Sequence, residues 1–179
     1  MTKITSTNAG QTSDNITIYQ ASSSDDAWIE QLHAKVFGPG RFARAAFRVR
    51  EAFSIDPNLS LIARLGDKKI ACISMSAISL AGINGYLLGP LATDLEYRGL
   101  KAGRKLVQQV CDMAFKQTGA KFVMLVGDSS YYGALGFEPA ILNSIIFPAP
   151  LDQRRILVHS RGEKIIEKLH GTINSWIKE

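Results

Sequence analysis

The segment from Gly85 to Asp128 constrains the fold more than any other. "GYLLGPLAT" (Gly85 to Thr93) is almost continuously apolar, so it reads as a central strand buried on both faces. A basic, glycine-bearing turn follows. Next comes "AGRKLVQQVCDMAFKQTG", with apolar residues at helical spacing and Gly119 as its stop. "KFVMLVGD" is a second buried strand. Strand, helix and strand in that order make a βαβ unit, so the two strands should lie side by side and parallel. One dipeptide disturbs the first strand. Pro90 has no N–H for a ladder, so Gly89-Pro90 predicts a bulge or a splayed strand.

The remaining elements surround this unit. "ITIYQ" alternates and predicts a short strand. "SSSDDAWIEQLHAKVF" predicts a helix, with a serine cap, two aspartates at the positive end of its dipole, and Trp28, Ile29, Leu32 and Val36 on one face. After the break "GPG", a second helix follows in "RFARAAFRVREAF". Phe42, Ala45, Ala46, Val49 and Phe53 share one of its faces; Arg41, Arg44 and Arg48 share another. "LSLIARL" and "IACISMSAISL" predict a hairpin across "GDKK", and "RRILVHS" a late strand. The tail "GEKIIEKLHGTINSWIKE" fits a helix or an extended segment, with its apolar residues packed on the domain. The expected class is therefore α/β, a mixed sheet flanked by helices. Residues 16–179 form one domain behind a disordered N-terminal segment, residues 1–15. A chain of 179 residues can bury one substantial core.

Several classes are set aside. The sequence has no signal-peptide core and no apolar run of membrane-spanning length, so the cytoplasm is the expected location. Cys72 and Cys111 lie apart in apolar contexts and read as buried thiols. His33, His159 and His170 are isolated and lack ligand spacing; all three read as structural or surface residues, and no metal is expected. The net charge of +5 suits an anionic partner. Nucleic acid is not expected, because no aromatic platform interleaves with the charge.

Three features carry chemistry. The turn before the long helix offers Gly99, which lets a ligand approach the backbone, and Arg98, Lys101, Arg104 and Lys105 around a helix N-terminus that attracts anions. It is neither a Walker loop nor GxGxxG. By itself it is either a phosphate cradle or a solvated helix start. The splay at Gly89-Pro90 would leave backbone groups unpaired, and an extended amide-bearing ligand could pair with them as an added strand. A diphosphate on the turn with a peptide-like arm along the strand describes coenzyme A. Third, Tyr131 and Tyr132 lie just past a strand's carboxyl end, where ligands of open sheets sit. A tyrosine there is either a proton donor to a thiolate or an amphipathic core residue.

"LGPLATDLEYRGLKAGRKL" followed by "VMLVGDSSYYGALGFEPA" resembles the GNAT family of acyl-CoA-dependent N-acetyltransferases. It is closest to a bacterial branch carrying LGPLAV and GDxxYYxxxGF, and "FGPGRFARAAFRVRE" is similar to that branch too. The resemblance runs from about Leu59 to Ala140. It implies a central twisted, mostly antiparallel sheet with one splayed parallel pair. It implies acetyl-CoA, or another acyl-CoA, as co-substrate and an amine acceptor attacking the thioester directly. The family's loop pattern R/Q-x-x-G-x-G/A falls on Arg98, Gly99, Leu100, Lys101, Ala102 and Gly103, with Arg104 next; Lys101 stands where the first motif glycine belongs. The strand segment that contacts the acyl arm maps onto Leu91, Ala92 and Thr93. The tyrosine five residues before the phenylalanine of GF maps onto Tyr132, as the acid. A backbone N–H near Leu91 or Ala92 would hold the oxyanion. The base is open between Asp128, Glu138 and a water chain. Lys101 donates its backbone N–H if its φ is helical.

Two other readings stay open. Arg41, Arg44 and Arg48 could dock an acyl carrier protein delivering a longer acyl chain, or form a plain solvated face. A non-catalytic acyl-CoA-binding regulator is the alternative of another class. The acceptor and the oligomeric state, a homodimer included, are not fixed by the sequence.

Overall fold

The structure is a computed structural model that describes residues 15–40, 45–162 and 164–176. The N-terminal segment 1–14, Phe42, and the arginines Arg41 and Arg44 lie outside the described residues.

Strand β1 (Ile16–Gln20) leads into helix α1 (Asp26–Phe37), as the spacing predicts. Its entry is a capping box. The Ser22 N–H donates to Asp25 Oδ2 at 2.9 Å, and Asp25 is tied in turn to the Lys69 ammonium. Helix α2 spans Ala45–Ala52, with Val49 buried and Phe53 half-buried beyond it. Strands β2 (Leu61–Leu65), β3 (Lys68–Leu80) and β4 (Ile83–Thr93) form a meander. Helix α3 (Ala102–Gln117), strand β5 (Phe122–Val126) and the short helix α4 (Ser129–Tyr132) follow. The chain closes with β6 (Glu138–Pro139), β7 (Ile145–Ile146), β8 (Ile156–Ser160), α5 (Ile165–Lys168) and β9 (Gly171–Thr172).

Seven strands form one sheet in the order β1-β2-β3-β4-β5-β8-β6. Every pair in it is antiparallel except β4 with β5. The βαβ expectation thus holds: β4 and β5 are parallel neighbours joined through α3. Both faces of the sheet are covered. Leu61, Ala63, Ala71, Ile73, Tyr86, Val123 and Leu125 pack toward Leu106, Val110 and Ala114 of α3. Ile62, Cys72 and Ala92 pack beneath α1, and Leu87, Phe122 and Met124 meet Val49 of α2. Cys72 and Cys111 are buried free thiols, each pushed up to about 12 by burial, as their apolar contexts predict.

The tail is neither wholly helical nor wholly extended. One helical turn gives way to β9, which pairs parallel with β7. Leu169 and Ile173 are buried, and the Trp176 indole N–H donates to Gly85 O at 2.9 Å. Gly171, which interrupts the helical pattern, has φ +87° and marks where the helix cannot continue.

The feature that matters for function is the behaviour of β4. Its closed end is tight. Gly85 pairs with Phe122, and a Cβ on Gly85 would stand 2.5 Å from Phe122 O and 2.6 Å from the Phe122 ring. Pairing with β5 stops after Leu87↔Met124. Further on, the β3–β4 register passes from Met75↔Leu88 to Ile73↔Leu91, so β4 spends one more residue than β3 over the same stretch. That is the bulge predicted at Gly89-Pro90. It also flips the face that β4 presents: Leu88 before the bulge and Leu91 after it both point toward α3, while Ala92 turns under α1. The Ser74 hydroxyl steadies the bulge by donating to Gly89 O at 3.3 Å.

Candidate active site

Where β4 and β5 part, a cleft of about 900 Å³ opens between the two sheet faces. One wall is Leu88 to Leu91 and Thr93 of β4, then Arg98, Lys101, Gly103 and Arg104 at the start of α3. The facing wall is the end of β5 and the first turn of α4, from Leu125 to Asp128, with Tyr131 and Tyr132. Seven residues named from the sequence therefore meet in one place: Leu91, Thr93, Arg98, Lys101, Gly103, Arg104 and Tyr132. Ala92, Gly99, Leu100 and Ala102 sit beside the cleft without lining it. Ala92 and Ala102 are fully buried, and only their backbone could serve a ligand.

The turn that carries the cations is built locally. Asp94 caps it by accepting from the Glu96 N–H, and its carboxylate is held by the Lys35 ammonium at 2.9 Å, which keeps it below the usual carboxylate range. Lys101 ends the turn and caps α3 with φ +59° and ψ +18°. The condition left open by the sequence, a helical φ at Lys101, is thereby settled. Lys101 is not right-handed helical; it holds the left-handed conformation in which the family's glycine is strain-free, at a cost of about 1 kcal/mol. Its side chain is exposed and makes no capping hydrogen bond to the first N–H groups of α3. Gly103 is needed for space: a Cβ there would stand 3.1 Å from the Tyr131 hydroxyl and 3.3 Å from Thr93 Oγ1.

The two tyrosines differ. The Tyr132 ring lies over Gly127, where any Cβ would come within 2.5 Å of its Cε2, and packs edge-on against Phe137 at 5.7 Å. Burial pushes its hydroxyl up to about 12. Tyr131 stands edge-on to Tyr132 at 4.8 Å and keeps 39% of its surface exposed. Asp128 begins α4 but makes no side-chain cap; only its carbonyl is used, accepting from the Tyr131 and Tyr132 N–H groups. Its carboxylate is left to the cleft. Glu138 is exposed on β6 and does not line the cleft.

Sequence reasoning missed the third side of the cleft. Glu30, His33 and Phe37 of α1, Phe47 of α2, and Leu151 and Arg155 ahead of β8 all line it. His33, read as structural or surface, belongs to this wall, with its Nε2 3.5 Å from the buried Cys72 Sγ. Arg155 reaches over the end of β5, with its Nε donating to Gly127 O at 3.4 Å. A usable signal existed for α1 alone: Glu30, His33 and Phe37 recur at helical spacing beside its apolar stripe. His159 fits its structural reading, donating from Nδ1 to Gly136 O at 2.8 Å and packing on Phe115 and Phe137. Arg48, the described member of the arginine trio, pairs with Glu51 at 2.8 Å.

Known proteins resemble this chain in sequence and in fold. A protein of Escherichia coli K12 named the uncharacterized N-acetyltransferase YjhQ is 28% identical over 140 residues, which cover 76% of each chain. The E. coli GNAT family N-acetyltransferase YhbS, solved in complex with CoA, superposes with a TM-score of 0.72 at 22% identity, covering 90% of this chain and 89% of its own. A Brucella melitensis GNAT family acetyltransferase, solved with acetyl-CoA, gives a TM-score of 0.64 at 19% identity over 90% and 96% of the two chains. Residues 26–137, which include α1, the bulged strand, the basic turn and both tyrosines, match the family described as Acetyltransferase (GNAT) family, and the chain belongs to that family.

Proposed function

We propose that this protein is an N-acetyltransferase that moves the acetyl group of acetyl-CoA to a primary amine, with residues 16–179 acting as one catalytic domain. One observation carries the reading: the parted β4–β5 pair runs without a break into the uncapped, cation-flanked start of α3. A pantetheine arm can complete the ladder along Leu91 to Thr93, and a diphosphate can rest on the amides from Arg98 to Arg104. The CoA and acetyl-CoA in two of the fold relatives support the same donor.

In this reading the amine nitrogen attacks the thioester carbonyl, and the oxyanion forms against a backbone N–H at Leu91 or Ala92. The C–S bond then breaks, and Tyr132 gives its phenolic proton to the departing thiolate. A hydroxyl held up to about 12 stays protonated at neutral pH, as an acid must. Asp128 is the base, taking the ammonium proton directly or through a water. Its place in the cleft favours it over Glu138. The reaction suits the cytoplasm, where acyl-CoA donors are available, and needs neither an acyl carrier protein nor a second copy of the chain. No helix among the described residues is long and apolar enough to cross a membrane.

The test is native mass spectrometry with acetyl-CoA, long-chain acyl-CoA and acyl carrier protein in competition, followed by amine-dependent release of free thiol. Acetyl-CoA should be retained, and Tyr132→Phe should lower kcat by about a hundredfold or more. Preferential capture of the carrier would replace the donor. Binding without turnover on any amine panel would make the protein a sensor of acyl-CoA.

A further inference from the structure

The tandem tyrosines point to a division of labour. Tyr132 is anchored to its own wall, with its ring on Gly127 and its edge in the core around Phe137. Tyr131 does the opposite. It leaves α4, crosses the cleft, and brings its hydroxyl to the second residue of α3, against the bare Cα of Gly103 and next to Thr93 Oγ1. Burial pushes its hydroxyl above the usual phenol range, and the nearby Arg104 charge draws it partly back. No hydrogen bond holds the hydroxyl of Tyr131 or of Tyr132 among the described residues. A half-buried phenol beside Arg98, Lys101 and Arg104 at the rim of the cleft is placed to donate to an anion held there.

Resting on the donor reading above, we propose that Tyr131 is a donor-binding residue whose O–H completes the diphosphate grip from the wall opposite Gly103 and Arg104. The cradle then has two sides. The α3 side supplies backbone N–H groups and guanidinium charge; the α4 side supplies one neutral O–H that reaches over the ligand. Tyr131 fixes where the donor sits, and Tyr132 acts on the sulfur. The geometry also fits a glycine at position 103 where Tyr131 arrives: a side chain there would take the volume that the ligand and the phenol share.

The experiment is calorimetric titration of the full chain and of Tyr131→Phe with coenzyme A. S-acetylpantetheine, which lacks the diphosphate, serves as the second probe in a thermal-shift series at high concentration. Tyr131→Phe keeps the ring contacts, and melting of the apo variant checks that it folds like the parent. The expected result is roughly tenfold weaker binding of coenzyme A by Tyr131→Phe, the loss of one charge-assisted hydrogen bond. Its response to acetylpantetheine should match the parent's. Equal affinity of parent and Tyr131→Phe for coenzyme A would overturn the inference alone. So would an equal loss with both probes, which would move the contact from the diphosphate to the pantetheine arm. A parent that bound no coenzyme A would overturn the donor reading and this inference with it.

Discussion

The two sides of the cleft are made of different material. The β4–α3 side, from Leu88 to Arg104, presents mostly backbone: a bulged strand with open amides, then a helix start, with three cations at the rim. The side formed by α1, α2 and the segment ahead of β8 presents side chains: the carboxylates of Glu30 and Asp152, the His33 imidazole, the rings of Phe37 and Phe47, and the Arg155 guanidinium. Backbone recognises what every donor of one class shares, a diphosphate and a string of amides. Side chains recognise what varies from one acceptor to another. In the proposed reaction the contrast would put constancy on the α3 side and selectivity on the α1 side, with the proposed base Asp128 and acid Tyr132 between them on the end of β5 and on α4.

Substitutions should separate the two sides. The largest effect belongs between them: Asp128→Asn should lower kcat by about a hundredfold while coenzyme A affinity holds. A kcat within twofold of the parent would hand the base role to the α1 side. Gly103→Val comes next. Its branched side chain would fill the space that Tyr131 and Thr93 leave, and coenzyme A should bind roughly thirtyfold more weakly, about 2 kcal/mol, with the acceptor KM unchanged. A shift in the acceptor KM instead would erase the boundary between the sides.

Acid should loosen the α1 side first. Asp25, buried at the start of α1, is held down to about 2 by its hydrogen bond to the Lys69 ammonium, by the Ser22 N–H and by the Lys69 charge. Its unfolded-state value lies near 4. A depressed carboxylate stabilises the fold above the unfolded value and loses that contribution as pH falls through the folded one. The melting temperature should therefore decline between about pH 4 and pH 2, and Asp25→Asn should flatten that limb while lowering the plateau. Hydrogen exchange that opened α3 before α1 in this range would contradict the assignment. The smallest effect is expected of Lys101→Gly. Relief of the left-handed backbone and the added freedom of the unfolded chain nearly offset, so stability should move by less than about 1 kcal/mol. Coenzyme A should bind about threefold more weakly at low salt and equally at high salt, since an exposed cation is screened.

The same contrast explains what could be read before the fold was known. The α3 side is one contiguous stretch, so the proline in a buried strand, the basic turn and the helix stop could be interpreted together. Even the bulge was legible, because Pro90 cannot join a ladder. The α1 side is assembled from segments more than a hundred residues apart, and His33 looked isolated because its neighbour Cys72 is adjacent only in space. The backbone of Lys101 was left conditional for another reason. Side-chain type suggested a residue free to be right-handed, but the path from the Asp94 turn into α3 dictates the backbone there, whatever residue occupies it. The tail stayed ambiguous because its helical and extended halves are both real and meet at Gly171.

The Trp176–Gly85 contact has a consequence for how the chain reaches its native state. The strand that parts at one end must be locked at the other, and the lock comes from a residue 91 positions downstream. Loop-closure entropy on that scale has to be met before the contact gives anything back, which makes the centre of the sheet a slow, non-local assembly. A chain emerging from the ribosome holds β4 long before it holds β5, and β5 long before Trp176. Until β5 arrives, the central strand waits as an incomplete edge that a chaperone, or another copy of the same strand, could find first, and the indole bond to Gly85 O is added last.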